Sequence, residues 1–225
     1  MRVAKLSIEG NSFIGAFGLA TDKFALICSN VNATKTGLIE DTLQVKVAHA
    51  LIDNSKLIGI YAIANSNGML LPFTSYHTEV EHIKKALKEF NIDIFKSDMN
   101  ALRNNILAND KVAIINPYYS HREEEEIRDI LGVETIKREI AGFSTVGANN
   151  IVTNRGLVLN NRVTDDEKKE IEDIFGLKGE QSTANLGSLT LGLSVIANSN
   201  GAVVGEATTG FELARITNGL NLPEE

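Results

Sequence analysis

Several absences narrow what this chain can be. There is one cysteine, Cys28, in 225 residues, so no internal disulfide can form, which fits a reducing compartment. Cys28 stands in an apolar, strand-like run, the setting of a buried inert thiol rather than of a nucleophile. Prolines number three, Pro72, Pro117 and Pro223, and no Pro-rich or Gly/Ser-rich stretch marks a linker. With no secretory leader and no apolar run long enough to span a bilayer, the expected location is cytoplasmic, with no membrane partner. The sequon Asn32-Ala33-Thr34 therefore reads as chance. Cations are outnumbered, 22 Lys and Arg against 29 Asp and Glu, giving a net charge of −7. No basic stripe appears, which argues against a protein that coats nucleic acid nonspecifically.

What is present is repetition. Ile63-Ala64-Asn65-Ser66-Asn67-Gly68 recurs letter for letter at Ile196-Ala197-Asn198-Ser199-Asn200-Gly201. Asn-Gly between apolar runs predicts a hairpin with a type I′ turn, in which both central residues take positive φ. Stepping from Ala64 reaches Ala20, Ala108, Thr153 and Ala197, spacings of 44, 44, 45 and 44, each followed by an apolar run. A second register agrees. Ile39, Ile83, Ile127 and Ile171 are each 44 apart, with Leu43, Leu87, Leu131 and Phe175 four residues later. An apolar i, i+4 pair is the buried stripe of a short amphipathic helix. Capping boxes are expected at Thr78–Glu81, Ser120–Glu123, Thr164–Glu167 and Thr209–Glu212, and a weaker cap at Thr36.

The resulting expectation is one cyclic α/β domain over residues 1–225, built from five ββαβ-like repeats of about 45 residues. The units run roughly 10–54, 55–98, 99–142, 143–187 and 188–225, with residues 1–9 completing the last. Helices are expected over 38–44, 79–89, 121–131, 165–175 and 211–216, the fifth about four residues early. Third strands are expected over 45–52, 92–95, 133–137 and 177–179. The strand at Val3–Ile8 pairs with the last unit, because a ring brings its termini together. Neighbouring units must pack side by side, since none buries enough apolar face alone.

This pattern resembles the pentein fold, the five-fold pseudosymmetric α/β propeller, and within it the translation initiation factor 6 family. The residues carrying the resemblance span the chain: Phe13-Ile14-Gly15, Leu57-Ile58-Gly59, and Asn65-x-x-Gly68-Met69-Leu70-Leu71-Pro72. Further on they are Asn109-Asp110-Lys111 through Pro117, and Val146-Gly147 with Asn154-x-Gly156. The end at Leu222-Pro223-Glu224-Glu225, without a Ser-rich extension, is similar to the archaeal branch. The resemblance implies a non-enzymatic protein that binds the large ribosomal subunit on its joining face, near the sarcin–ricin loop. There it prevents premature association with the small subunit, and it also takes part in late large-subunit maturation. Ribosomal proteins are the implied contacts, rRNA a further one, the protein a monomer, and no cofactor is implied.

The rival within the fold is a guanidino-modifying hydrolase or transferase, which needs a Cys nucleophile, a His and paired carboxylates. Cys28 lies early in the chain, where those enzymes place theirs late. His49 is expected in a strand, and His77, His82 and His121 at helix starts or faces, so no such constellation forms. His77 and His82 miss the i, i+4 spacing of a helical metal pair, and Gly15-x-x-Gly18 lacks the rest of a phosphate loop. The Glu123–Glu126 run reads as a solvated helix face.

Five equivalent hairpins place five strand starts on one face. Taking the residue after the repeat glycine and its neighbour gives the candidate docking set Ala16, Ile60, Asn104, Asn105, Asn149, Asn150, Leu193 and Ser194. The alternative for these asparagines is local backbone satisfaction. Asn65, Asn67, Asn198 and Asn200 are assigned to turn geometry. Arg103, Arg138 and Arg155 are the candidates for a local basic patch.

Overall fold

A computed structural model describes residues 2–88 and 90–223. Five three-stranded sheets are arranged about an axis, each with one long helix. In unit one β2 (Gly18–Ala20) pairs antiparallel with β3 (Phe24–Cys28), and β3 pairs parallel with β4 (Lys46–Ala50). The same order recurs in β5 (Ile63–Ala64), β6 (Met69–Pro72) and β7 (Ile92–Phe95), then in β8 (Ile106–Ala108), β9 (Val112–Ile115) and β10 (Glu134–Lys137). Unit four has β11 (Ile151–Val152), β12 (Leu157–Asn160) and β13 (Gly179–Ser182). Unit five has β14 (Val195–Ala197) and β15 (Ala202–Gly205), and its third strand is β1 (Val3–Leu6), parallel to β15. Closure through the two chain ends is as the sequence predicts. Among the described residues no ladder joins one sheet to the next, and no closed barrel forms.

Each middle strand is buried at every or nearly every position, as expected of strands covered on both faces. The long helices α1 (Ala33–Leu43), α3 (His77–Ala86), α5 (His121–Leu131) and α7 (Asp165–Phe175) connect middle to outer strands, and α9 (Gly210–Gly219) follows the middle strand of unit five. Their repeated isoleucines, Ile39, Ile83, Ile127 and Ile171, are fully buried. Ile216 and Leu220 continue the series, 45 after Ile171 and Phe175 being 216 and 220, and are also fully buried. The fifth helix is thus in register and not early. The helix expected over 79–89 is α3, which ends at Ala86, and Glu89 lies outside the described residues.

Two of the expected capping boxes form, at Ser120–Glu123 and Thr209–Glu212, and Thr164 caps its helix without the reciprocal bond because Glu167 accepts from Ala141 N–H. Ser120, Thr164 and Thr209 accept from the backbone N–H three residues on. The other two expected caps do not form. Thr36 lies inside α1, whose cap is Asn32, accepting from Lys35 N–H at 3.0 Å. In α3 the cap is Tyr76, not Thr78, and Glu79 reaches back to the Tyr76 N–H at 3.0 Å.

The Asn-Gly turns are also different in kind. Neither Asn67, Gly68, Asn200 nor Gly201 has positive φ. Instead the Asn65 amide oxygen accepts from Asn67 and Gly68 N–H at 2.9 and 3.1 Å, and Asn198 does the same in unit five. Gly68 is required by closeness: a Cβ there would overlap the Ile130 carbonyl oxygen of α5. The same comparison moves unit four by one residue. Thr153, not Asn154, closes its turn on Gly156 O, as Asn65 closes on Gly68 O. The spacings are therefore 44, 44, 44 and 45, with Val152 in the place of Ala64.

Candidate functional site

The sequence pattern leaves four-residue pieces between outer strand and hairpin, and these fold as helical turns. They are η1 (Ile14–Ala16), α2 (Ile58–Tyr61), α4 (Leu102–Asn105), α6 (Val146–Asn149) and α8 (Leu191–Ser194). Each touches the next around the axis, and α8 returns to η1. Glycines make the approach possible. A Cβ on Gly59 would overlap Gly15 O, one on Gly147 would overlap Arg103 O, one on Gly192 would overlap Gly147 O, and one on Gly15 would overlap Gly192 O. Carbonyls thus follow one another around the axis, each against the next turn's α-carbon.

Unit three breaks the series with Arg103. Its Nη1 donates to Gly192 O at 2.7 Å, Gly15 O at 3.2 Å and Gly59 O at 3.4 Å. The guanidinium plugs the axis with no carboxylate at salt-bridge distance among the described residues, and burial lowers its pKa to about 10. Below it lies a ring of small and β-branched side chains, Ala20, Ala64, Ala108, Val152 and Ala197, around cavities of about 50 and 30 Å³. At the far mouth the Asn154 amide nitrogen donates to Asp22 at 2.8 Å and to Asp110 at 2.7 Å, bridging the ring.

The eight predicted docking residues all fall on or beside these turns, but five of them are buried. Ala16, Asn105, Asn149, Asn150 and Ser194 are at most 7% exposed. Their polar side chains bond backward within the unit. Asn105, Asn149, Asn150 and Ser194 donate to the carbonyls of Ala101, Thr145, Val146 and Thr190. Asn150 also accepts from Asn160 N–H at 3.0 Å. Ile60, Asn104 and Leu193 remain half-buried at the surface. The unit-four equivalent of Asn104 is Ala148, one residue before Asn149, because of the register described above.

Six exposed large apolar side chains were missed by sequence reasoning: Phe13, Phe73, Tyr76, Tyr118, Leu186 and Phe211, from 38% to 75% exposed. All six lie where middle and outer strands end and long helices begin, the same end of the ring as the five turns. The available signal was position: bulky apolar residues in connections rather than in the periodic runs. Arg103, Arg138 and Arg155 are not brought together. Arg103 is axial, Arg138 pairs with Glu170 at 3.2 Å beside α7, and Arg155 donates to Asn221 O at 3.0 Å at the opposite face.

Cys28 is fully buried in β3, and burial pushes its thiol pKa up. His49 faces the Cys28 carbonyl oxygen at 3.2 Å and Thr36 Oγ1 at 3.3 Å. Among the described residues no group of three His, Cys, Asp or Glu could hold a metal ion, and no helix is long and apolar enough to cross a membrane.

The profile of the eIF-6 family matches residues 3–219. Translation initiation factor 6 of Pyrococcus horikoshii is 39% identical over 98% of this chain and 99% of its own length. That of Thermoplasma acidophilum is 38% identical over 95% and 97%. Among solved structures, the N-terminal domain of a cyanobacterial arginine dihydrolase has a TM-score of 0.49 at 13% identity, covering 74% of this chain and 67% of that one.

Proposed function

The chain belongs to the eIF-6 family, and from that premise we propose that it binds the large ribosomal subunit and sterically prevents premature joining of the small one. The observation that carries the docking surface is the one-sided placement of exposed apolar groups. Phe13, Phe73, Tyr76, Tyr118, Leu186 and Phe211 share the turn face with half-buried Ile60, Asn104 and Leu193. Exposed aromatic residues are characteristic of a protein-docking patch. The protein acts in the cytoplasm as a monomer that contacts ribosomal proteins near the sarcin–ricin loop, and late subunit maturation uses the same contact.

An enzymatic role has three features against it. Ligand pockets enclose roughly 300–1,000 Å³, whereas the axial cavities are about 50 and 30 Å³. Arg103 fills the axis on one side, and the lone thiol is buried and neutral.

The test is sedimentation through a sucrose gradient with separated archaeal subunits. Wild type is expected to travel with large subunits and to reduce joined ribosomes. An Ile60→Glu, Asn104→Arg variant is expected to stay folded and to bind at least about tenfold more weakly, about 1.4 kcal/mol. Wild type remaining at the top of the gradient while subunits join would overturn the function. Unchanged binding by the folded double variant would overturn the face.

A further inference from the structure

Every unit leaves its third strand as a sheet edge, and the five edges are not treated alike. In β4 the outward carbonyl of His49 accepts from His82 Nε2 on the next unit's helix at 3.0 Å. The equivalent carbonyl of Gln181 in β13 accepts from Arg215 at 2.8 Å. Outward amides are held as well. Val47 N–H donates to Glu40 at 2.9 Å and Gly179 N–H to Glu172 at 3.0 Å. Near β1, Lys35 reaches Ser7 O at 2.6 Å. Along β10, Lys137 and Arg138 pair with Glu124 and Glu170 at 3.1 and 3.2 Å and cover that edge with charge.

The edge of β7 makes neither of the backbone bonds seen at β4 and β13. Ile94 stands where His49 and Gln181 stand, and the helix residue facing it is Glu126, an acceptor that cannot serve a carbonyl. The residue equivalent to Glu40 and Glu172 is Lys84, a donor that cannot serve the Ile92 amide. Among the described residues neither Ile94 O nor Ile92 N–H has a partner, and Ile94 N–H donates to the adjacent Asp93 carboxylate at 2.8 Å. Instead of a cover there is a groove of about 350 Å³ between β7 and α5, with half-buried Ile94 and Ile130 along it. Its upper end carries Lys96 and Arg122. Its lower end carries Asp93 and Asp129.

We infer that β7 is a strand-addition site, taking an extended segment of a partner protein as a fourth strand of the unit-two sheet. This rests on the docking reading above and names the kind of segment the partner offers. The groove commits to one occupant by charge. Carboxylates along its lower half repel a phosphate backbone. A polypeptide carrying an acidic group at the Lys96 end and a basic residue at the Asp129 end is matched throughout, and its apolar side chains alternate onto Ile94 and Ile130. Its main chain supplies the donor that Ile94 O lacks and the acceptor that Ile92 N–H lacks.

The test uses the full chain with Ile94→Cys labelled by benzophenone-maleimide, Cys28 being fully buried and out of reach. Irradiation with purified archaeal large subunits is expected to link this position to a ribosomal-protein segment. Two unlabelled variants, Ile94→Lys, which installs an edge guard, and Asp129→Lys on the exposed helix face, are expected to bind large subunits at least about tenfold more weakly. Linkage to rRNA alone overturns the polypeptide assignment. Co-sedimentation without any cross-link, or with both lysine variants binding as wild type, overturns the strand-addition site and leaves the docking function standing. Loss of co-sedimentation by the wild-type chain overturns both.

Discussion

Arg103 is where the five-fold pattern carries a charge. Four of the five equivalent positions are glycine, and the fifth returns a guanidinium to the carbonyls that surround it. Replacing it with glycine removes three bonds from Nη1 but also a buried cation without a counter-ion. These effects oppose each other, so Arg103→Gly is expected to change stability by no more than about 1 kcal/mol. Arg103→Glu places a carboxylate among carbonyl oxygens and is expected to cost more than about 3 kcal/mol. Urea midpoints at unchanged m-value separate the two. Equal losses for both variants would show that the carbonyl cluster does not act on charge. Sequence reading could see Arg103 as a basic residue but not as an axial one, because a residue's distance from a symmetry axis has no sequence period. It misplaced unit four for a related reason. Thr153 performs with a hydroxyl what Asn65 performs with an amide, and Asn154 next to it offered a more familiar match.

At the scale of an element, the repeat of apolar pairs and the order of strands were legible, since burial imposes 3.6 and 2.0 periods directly on composition. The turn class was not. Asn-Gly predicts positive φ from local propensity, whereas Gly68 is selected by what packs behind it. Gly68→Ala is therefore expected to force the unit-two hairpin away from α5 and to cost about 3 kcal/mol. A strained-turn account gives only about 1 kcal/mol, and thermal or urea unfolding distinguishes them. The burial of five of the eight docking candidates was not legible either. Short helical turns bond each polar side chain back to the carbonyl four residues earlier, so asparagines that read as exposed turned inward. The aromatic residues of the connections, which have no period at all, remained outside.

For the molecule as a whole, closure by β1 and β15 makes the position of the chain ends one of five equivalent choices. The natural break falls between α9 and the outer strand β1 of the same unit. The Gly176–Lys178 connection, between α7 and β13, is its counterpart in unit four. A permutant with joined natural ends and a new start there is expected to form the same ring, within about 2 kcal/mol of wild type and in one cooperative transition. A permutant that unfolds in two steps would show that unit five is a weaker joint than its neighbours.

The same strand pairing sets a clock on synthesis. β1 is made about 200 residues before its partner, Ala202–Gly205. At about 5–20 residues per second, β1 waits on the order of 10–40 s for that partner. Throughout this interval β1 has no sheet to join. A nascent chain therefore cannot complete its disc until Ala202–Gly205 has been made, and a factor that works on ribosomes spends its own synthesis as an open arc.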